Sequence, residues 1–259
     1  MADISAEDLI AYRDDPVKMV EDLFGAVPDP RQEVVLRAFP PSPRLAIQAA
    51  AGVGTTACLA WLAWNFMLTR EDDCEIGVTA STSHLLHELW NELKKWYDVS
   101  DVLKNRFEFR RASIRSLMHQ ENVAIKVSLS GASTADEIND RLRGLIGGHV
   151  MWVVDHAESV PDFAYPALNS IFSGEPVDAH ILIGGTPHGE DSLLYRATLM
   201  KDDPLTVMKI TANPDDPFCS PFVLNSYTQQ QIEQYGRDCP WVINNIFGEF
   251  FSYPKNTGK

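Results

Sequence analysis

The sequence predicts an α/β domain in which a mainly parallel sheet carries helices on both faces. Two stretches and the chain length point there. Leu45 to Ala51 and Val150 to Asp155 are near-continuous apolar runs, the pattern of strands buried on both faces. The first passes through Gly52-Val53-Gly54-Thr55-Thr56 into Ala57 to Trp64, a helix-forming sequence that mixes small and large apolar residues. Strand, glycine turn and buried helix in succession begin a β-α unit. With 259 residues and 45% hydrophobic content the chain can bury a full core, and one large α/β domain fits better than two small ones.

The other elements follow in order. Ser5 is placed to cap a helix with acidic residues in its first turn. Asp15-Pro16 starts a second helix, with Val17, Val20, Leu23 and Phe24 on one face and Gly25 at its end. Together they read as an N-terminal arm packed on the domain. Asp29-Pro30 opens a third helix through Phe39, and Cys74 to Thr79 reads as the next strand. Ser83 is expected to cap a helix through Leu85, Leu86, Leu89, Trp90, Leu93 and Trp96 that buries one face and leaves His84, His87 and Glu88 largely outside. These histidines read as surface residues, because no carboxylate or cysteine cluster accompanies them. Phe107 to Phe109, Ser113 to Met118 and Val123 to Ser128 read as short strands, either an insertion or extra strands of the main sheet. Gly131 to Glu137 suits a mobile loop. Phe163 to Phe172 has helical spacing, and His180 to Gly185 and Leu205 to Thr211 read as strands. A proline-rich connection, Asn213 to Phe222, and a polar helix, Gln229 to Tyr235, complete the pattern.

The glycine turn has the outline of a P-loop, G-x-x-x-x-G-K-[ST], in which backbone N–H groups wrap phosphates, a lysine neutralises their oxygens and a hydroxyl holds magnesium. Over residues 49 to 56, Ala49 stands for the first glycine, Gly54 is the second, Thr55 takes the lysine position and Thr56 keeps the hydroxyl. Gly52 adds a further flexible position. Met151 to Asp155 resembles a Walker B strand, with Asp155 at its end able to hold magnesium through water. Hydrolysing proteins of this type usually follow that aspartate with a glutamate that orients the attacking water. Here the residue is His156, and Glu158, two places beyond the strand end, is expected to point elsewhere.

The chain resembles the N-terminal ATPase domain of tailed-phage terminase large subunits, the motors of DNA packaging. Asp29-Pro30-Arg31-Gln32, the P-loop region, Thr79-Ala80-Ser81-Thr82, Leu142-Arg143-Gly144, Ile183-Gly184-Gly185-Thr186-Pro187 and Asn245 to Phe250 carry the resemblance by their order and spacing. It implies a P-loop NTPase-like sheet with nucleotide at the strand C-terminal ends, ATP and Mg²⁺ as cofactors, and Thr56 and Asp155 as magnesium ligands. It also implies that Gln32 contacts the adenine edge, that Ser81 and Thr82 lie near the nucleotide, and that Thr186 couples the γ-phosphate to movement. Arg143 matches the place of an arginine that reaches into a neighbour's site. Ordinary readings stand beside each of these: a solvent-facing Gln32, a surface ion pair for Arg143, and a plain chain reversal at Gly185-Thr186-Pro187.

The resemblance divides the chain into an N-terminal arm with the adenine-motif-like segment (1–40), a P-loop ATPase-like core (41–212) and a C-terminal lid or linker-like segment (213–259). The short tail from Phe251 to Lys259 leads us to expect no nuclease domain. A net charge of −14 argues against a broad DNA-binding surface and leaves room for a small basic patch. The four cysteines show no zinc spacing and read as reduced thiols. Neither a signal peptide nor a run of membrane-span length is present in the sequence. The expected setting is therefore the cytoplasm of an infected bacterial host.

Three functional readings follow. One is a terminase-like domain that has lost hydrolysis, since Thr55 and His156 both replace charged catalytic residues, and that acts by assembly with terminase subunits, portal, procapsid or its own copies. Another is an active packaging ATPase whose missing cation comes from elsewhere. The last is an adaptor or inhibitor whose acidic surface mimics DNA at a motor interface.

Overall fold

The computed structural model describes residues 4–70, 73–132, 134–174, 176–199 and 205–251. Residues 252–259, most of the predicted tail, lie outside this range. Helices α1 (Ala6–Asp14) and α2 (Pro16–Phe24) start where the sequence places them. Ser5 and Asp8 form a reciprocal capping box, Asp15 accepts from Val17 N–H, and Gly25 ends α2 in the left-handed region. Tyr12, Val17, Met19 and Val20 join the principal core, so the arm is packed into the domain. Helix α3 (Pro30–Ala38) is capped by Asp29.

The sheet comprises β1 (Arg44–Ala49), β2 (Cys74–Ala80), β3 (Phe107–Phe109), β4 (Ser113–Ser116), β5 (Val123–Ser128), β6 (His149–Asp155), β7 (Asp178–Gly185) and β8 (Thr206–Ile210). Their order is β3-β4-β5-β2-β6-β7-β1-β8. All pairings from β5 to β8 are parallel, whereas β3 and β4 add antiparallel strands at one edge. The three short strands thus extend the main sheet. Chain-consecutive β1 and β2 are separated by β7 and β6, which opens a crevice at the strand C-terminal ends.

Two apolar layers cover the sheet. One contains α1 to α3, α4 (Thr55–Thr69) and α5 (Ser83–Val99). Residues Cys58 to Leu68 of α4 are all buried, as expected for a helix that is apolar all round. Its Trp64 indole donates to Leu93 O of α5 at 3.0 Å. Helix α6 (Asp101–Arg106) leads directly into β3. The other layer contains α7 (Ala135–Leu142), α8 (Tyr165–Asn169) and α9 (Leu193–Leu199), with Trp152 and Ile181 from the sheet. Gly77 of β2 makes room for that tryptophan, because a Cβ there would lie 2.2 Å from its ring. Helix α10 (Asn225–Tyr235) packs through Ile232 on the C-terminal turns.

Three local expectations change. Thr82, whose hydroxyl accepts from Leu85 N–H, caps α5 in place of Ser83. The stretch Gly131 to Glu137 is not all loop: Thr134 and Glu137 make a capping box that starts α7. Helical spacing from Phe163 to Phe172 resolves into α8 between short 3₁₀ turns, Asp162–Ala164 and Ser170–Gly174.

Candidate nucleotide site

The turn from β1 to α4 is a nest of backbone donors. Gly52 and Gly54 adopt left-handed φ of 79° and 84°, where an L side chain is strained. Ala50 N–H is taken by Ile210 O at 2.8 Å and Ala51 N–H by Asn245 O at 2.9 Å. Among the described residues the N–H groups from Gly52 to Thr56 have no acceptor. They sit at the N-terminus of the 15-residue α4, where the helix dipole favours an anion.

A cleft of about 310 Å³ opens over this turn. Gly52, Gly54, Thr55 and Thr56 line one side, Asp155 and His156 another, and Gly185 and Thr186 lie between them at the end of β7. The structure thereby brings together seven of the residues proposed from sequence, plus Gly185. Thr56 Oγ1 donates to Asp155 Oδ2 at 2.9 Å, which spans the width of β7. Asp155 is buried at 2% exposure. Burial raises its carboxyl above the usual value, against the opposing effects of His156 and the Thr56 hydrogen bond. A hydroxyl and a carboxylate side by side are hard oxygen donors suited to Mg²⁺. Among the described residues, no lysine or arginine lines the cleft.

His156 occupies a left-handed conformation, φ 51° and ψ 44°, that is uncommon outside glycine and asparagine. This turn redirects the chain, and Glu158, which is not among the residues lining the cleft, packs against the imidazole. Its Oε1 is 3.0 Å from His156 Nδ1. The Glu158 carboxylate is the main reason the imidazole rises to about 8, ahead of the opposing effect of burial. Glu158 Oε2 is buried without a partner among the described residues. It lies behind Gly185, where a Cβ would meet it at 2.1 Å. His156, its imidazole raised to about 8 by Glu158, lines the cleft at the β6 end.

Gln32 is 1% exposed, which excludes the solvent-facing alternative. Its Oε1 accepts from Asp29 N–H at 3.0 Å and its Nε2 donates to Val53 O at 3.4 Å, so it braces the turn from behind. Arg143 lies outside the cleft, two-thirds exposed and 3.6 Å from Asp140. Ser81 and Thr82 are also absent from the lining. The segment Asn245 to Phe250 props the turn: Gln48 Nε2 donates to Gly248 O at 2.6 Å.

A second cleft, about 770 Å³, lies between α5 and the β3–β4 hairpin. Lys94, Arg110, Arg111 and Lys126 line it together with Trp90, a small basic patch on an acidic chain in which Lys94 and Arg110 are paired with Asp98 and Glu108. All four cysteines are free, and no helix among the described residues is long and apolar enough to cross a membrane.

No family model and no curated protein matches the chain. Solved structures do. The HK97 bacteriophage large terminase superposes with a TM-score of 0.66 at 16% identity, over 92% of this chain and 55% of that one. The ATPase domain of the Thermus phage P74-26 large terminase gives 0.58 at 15% identity, over 92% of this chain and 99% of that domain. The large terminase of a thermophilic bacteriophage, in complex with ADP, gives 0.56 at 14% identity, over 84% of this chain and 52% of that one. The chain thus spans about half of the longer terminases it matches. Its fold is that of the phage large terminase ATPase domain.

Proposed function

We propose that the chain is a terminase-type nucleotide-binding domain of viral DNA packaging in which phosphate binding persists and hydrolysis is impaired. It acts by assembling with terminase, portal or procapsid components, or with its own copies, in the cytoplasm of an infected bacterium. The observation that carries this reading is a cleft over the glycine turn, whose N–H groups from Gly52 to Thr56 have no acceptor among the described residues, with a Thr56–Asp155 oxygen pair but, among those residues, no lysine or arginine. A charge-assisted hydrogen bond contributes about 1.5–3 kcal/mol to binding. The missing ammonium costs more as charge builds on a transferring phosphoryl group, so turnover suffers more than affinity.

Thr56 and Asp155 would hold Mg²⁺, which when bound supplies charge neutralisation for the phosphate oxygens. Gln32, proposed from sequence as the adenine contact, would act from behind the turn it braces, and Thr186, in the cleft lining, would sense the γ-phosphate. Arg143, exposed and only loosely paired, is free to reach a neighbouring subunit. Double-stranded DNA meets this chain, if directly, at the small basic patch around Arg111 and Lys126. The acidic remainder disfavours a wider contact.

The second reading, an active ATPase of unusual chemistry, draws on the His156 imidazolium as the replacement cation. Phosphate release from ATP–Mg²⁺ separates the two. We expect background turnover from the native sequence and measurable turnover from the double substitution Thr55→Lys, His156→Glu. Native turnover that disappears in His156→Ala would establish the second reading instead.

A further inference from the structure

Beyond α10 the chain makes a short helical turn, Pro240–Val242, and runs on as a π-helix, Ile243–Phe247. Wide turns of this kind are rare and frequently lie at functional sites. Val242 and Ile246 are buried with Ile232 of α10, so the turn is pinned from beneath. It touches both segments that frame the cleft described above. Asn245 O accepts the Ala51 N–H of the glycine turn at 2.9 Å, and Asn244 Nδ2 donates to Pro187 O, next to Thr186.

A separate cavity of about 360 Å³ opens on this turn, with His188, Pro240, Trp241, Asn244 and Phe251 in its lining. No lysine or arginine lines it among the described residues. A carbonyl only accepts, so the bond to Pro187 O fixes Asn244 Nδ2 as the donor and leaves Oδ1 as an acceptor. Asn244 is 6% exposed, and this Oδ1 has no partner among the described residues. A buried acceptor left unmet is unfavourable, so the site gains from a donor brought to it. His188 Nδ1 lies 3.0 Å from Thr186 O, which places a proton there and makes Nε2 of the neutral ring a second acceptor. Gly189, also in the lining, has Asp191 Oδ1 2.6 Å from the position a Cβ would take. Glu190 and Asp191 are exposed, and neither side chain has an ion pair among the described residues.

Trp241 stands 42% exposed, its ring 5.9 Å from that of Tyr235. Other rings of this part of the chain already carry arginines: Arg31 lies 5.2 Å from the Phe218 ring and Arg237 5.3 Å from that of Phe247. Indole attracts cations best of the aromatic rings, yet Trp241 carries none among the described residues. Unmet acceptors, free carboxylates and an open indole together fit a flat cation rich in N–H donors. A guanidinium is that group, whereas an ammonium is a compact, strongly hydrated point charge. The net charge of −14 favours a basic partner, and exposed Tyr235 extends the aromatic surface so that a longer segment can follow the side chain.

We propose that this cavity receives an arginine side chain from a basic segment of a partner protein, stacked on Trp241 and donating to Asn244 Oδ1. The site stands whether or not the cleft over the glycine turn binds nucleotide.

The test titrates short blocked peptides into the full chain and follows the Trp241 indole and the His188 ring by NMR. Gly-Arg-Gly should shift both saturably. Gly-citrulline-Gly, its neutral isostere, and Gly-Lys-Gly, its point-charge counterpart, should bind about five-fold more weakly or not at all. Trp241→Leu keeps an apolar side chain but loses the negative ring face, and should weaken Gly-Arg-Gly by about five-fold as read on His188. Trp241 is exposed, so this variant should melt like the parent. Either control peptide matching Gly-Arg-Gly, or undiminished Gly-Arg-Gly binding by Trp241→Leu, would overturn the assignment to arginine. No saturable shift with any of the three would overturn the site itself.

Discussion

Asp178 opens β7 between the Arg70 guanidinium and the His180 ring. Two Arg70 nitrogens, Nε and Nη2, lie 2.8 Å from its Oδ2, and His180 Nε2 lies 3.0 Å from Oδ1. The Arg70 side chain is only 3% exposed. Burial by itself would raise the Asp178 carboxyl, but the His180 hydrogen bond and Arg70 outweigh it and hold the group well below the usual carboxylate range. Asp178→Asn removes the carboxylate that faces Arg70 and leaves a buried guanidinium uncompensated, a change that costs about 3–5 kcal/mol. Arg70 keeps Thr69 Oγ1 at 2.9 Å and the Phe66 ring at 4.2 Å. These contacts place the loss at the lower end, about 3 kcal/mol. Urea unfolding at pH 7 followed by circular dichroism reads it directly. The sign with pH is also set: a depressed carboxyl contributes stability above its unfolded pKa and loses it as pH falls through the folded one. The gap between native and Asp178→Asn should therefore be full at neutral pH and narrow only well below about pH 4. A loss under about 1 kcal/mol, or a gap that widens on acidification, would refute the account of this cluster.

Other outcomes follow from the cleft. Glu158→Gln should drop the His156 titration, followed by imidazole NMR, from about 8 toward about 6.5. In the native chain the raised imidazole stabilises the fold below its unfolded pKa, and that contribution is lost as pH rises through about 8. An unchanged titration would mean Glu158 does not hold the ring. Gly185→Ala puts a Cβ 2.1 Å from Glu158 Oε2 and 3.1 Å from Ala157 N. It should displace the Glu158–His156 pair and destabilise by about 1–3 kcal/mol; an unaltered His156 resonance and unfolding midpoint would show that the contact yields freely.

Much of the fold is legible in the sequence because its signals are local. The apolar run, glycine turn and buried helix from Leu45 to Trp64 need no tertiary information, and neither does the Met151 to Asp155 strand. The capping positions are legible to within a residue: Thr82 and Ser83 are both acceptable caps, and backbone geometry chooses the former. Helix α7 escapes a sequence reading because Ser, Thr, Asp and Gly suit loops as well as capping boxes, and Thr134 with Glu137 settles the matter only once Ile138 and Leu142 are buried. In the site, Gly52, Gly54, Thr55, Thr56, Asp155, His156 and Thr186 converge because the strand order sets three loops side by side. Glu158 stays out of the cleft lining, and the left-handed turn at His156 sets it against the imidazole, a contact that a regular strand exit would not make. The bracing of the turn by Gln32 and by Gly248 joins residues far apart in the chain, and no spacing rule reports it. The Glu158–His156 pairing has one signal in the sequence, Gly185, whose missing side chain leaves room for the carboxylate.

The central claim is that this cleft still binds a nucleoside triphosphate but turns it over poorly for want of a cation at Thr55. Calorimetric titration of ATP–Mg²⁺, followed on the same sample by phosphate release with and without double-stranded DNA, tests it most directly. Saturable binding with phosphate release at background under both conditions is the predicted result. Turnover well above background, with or without DNA, would contradict it.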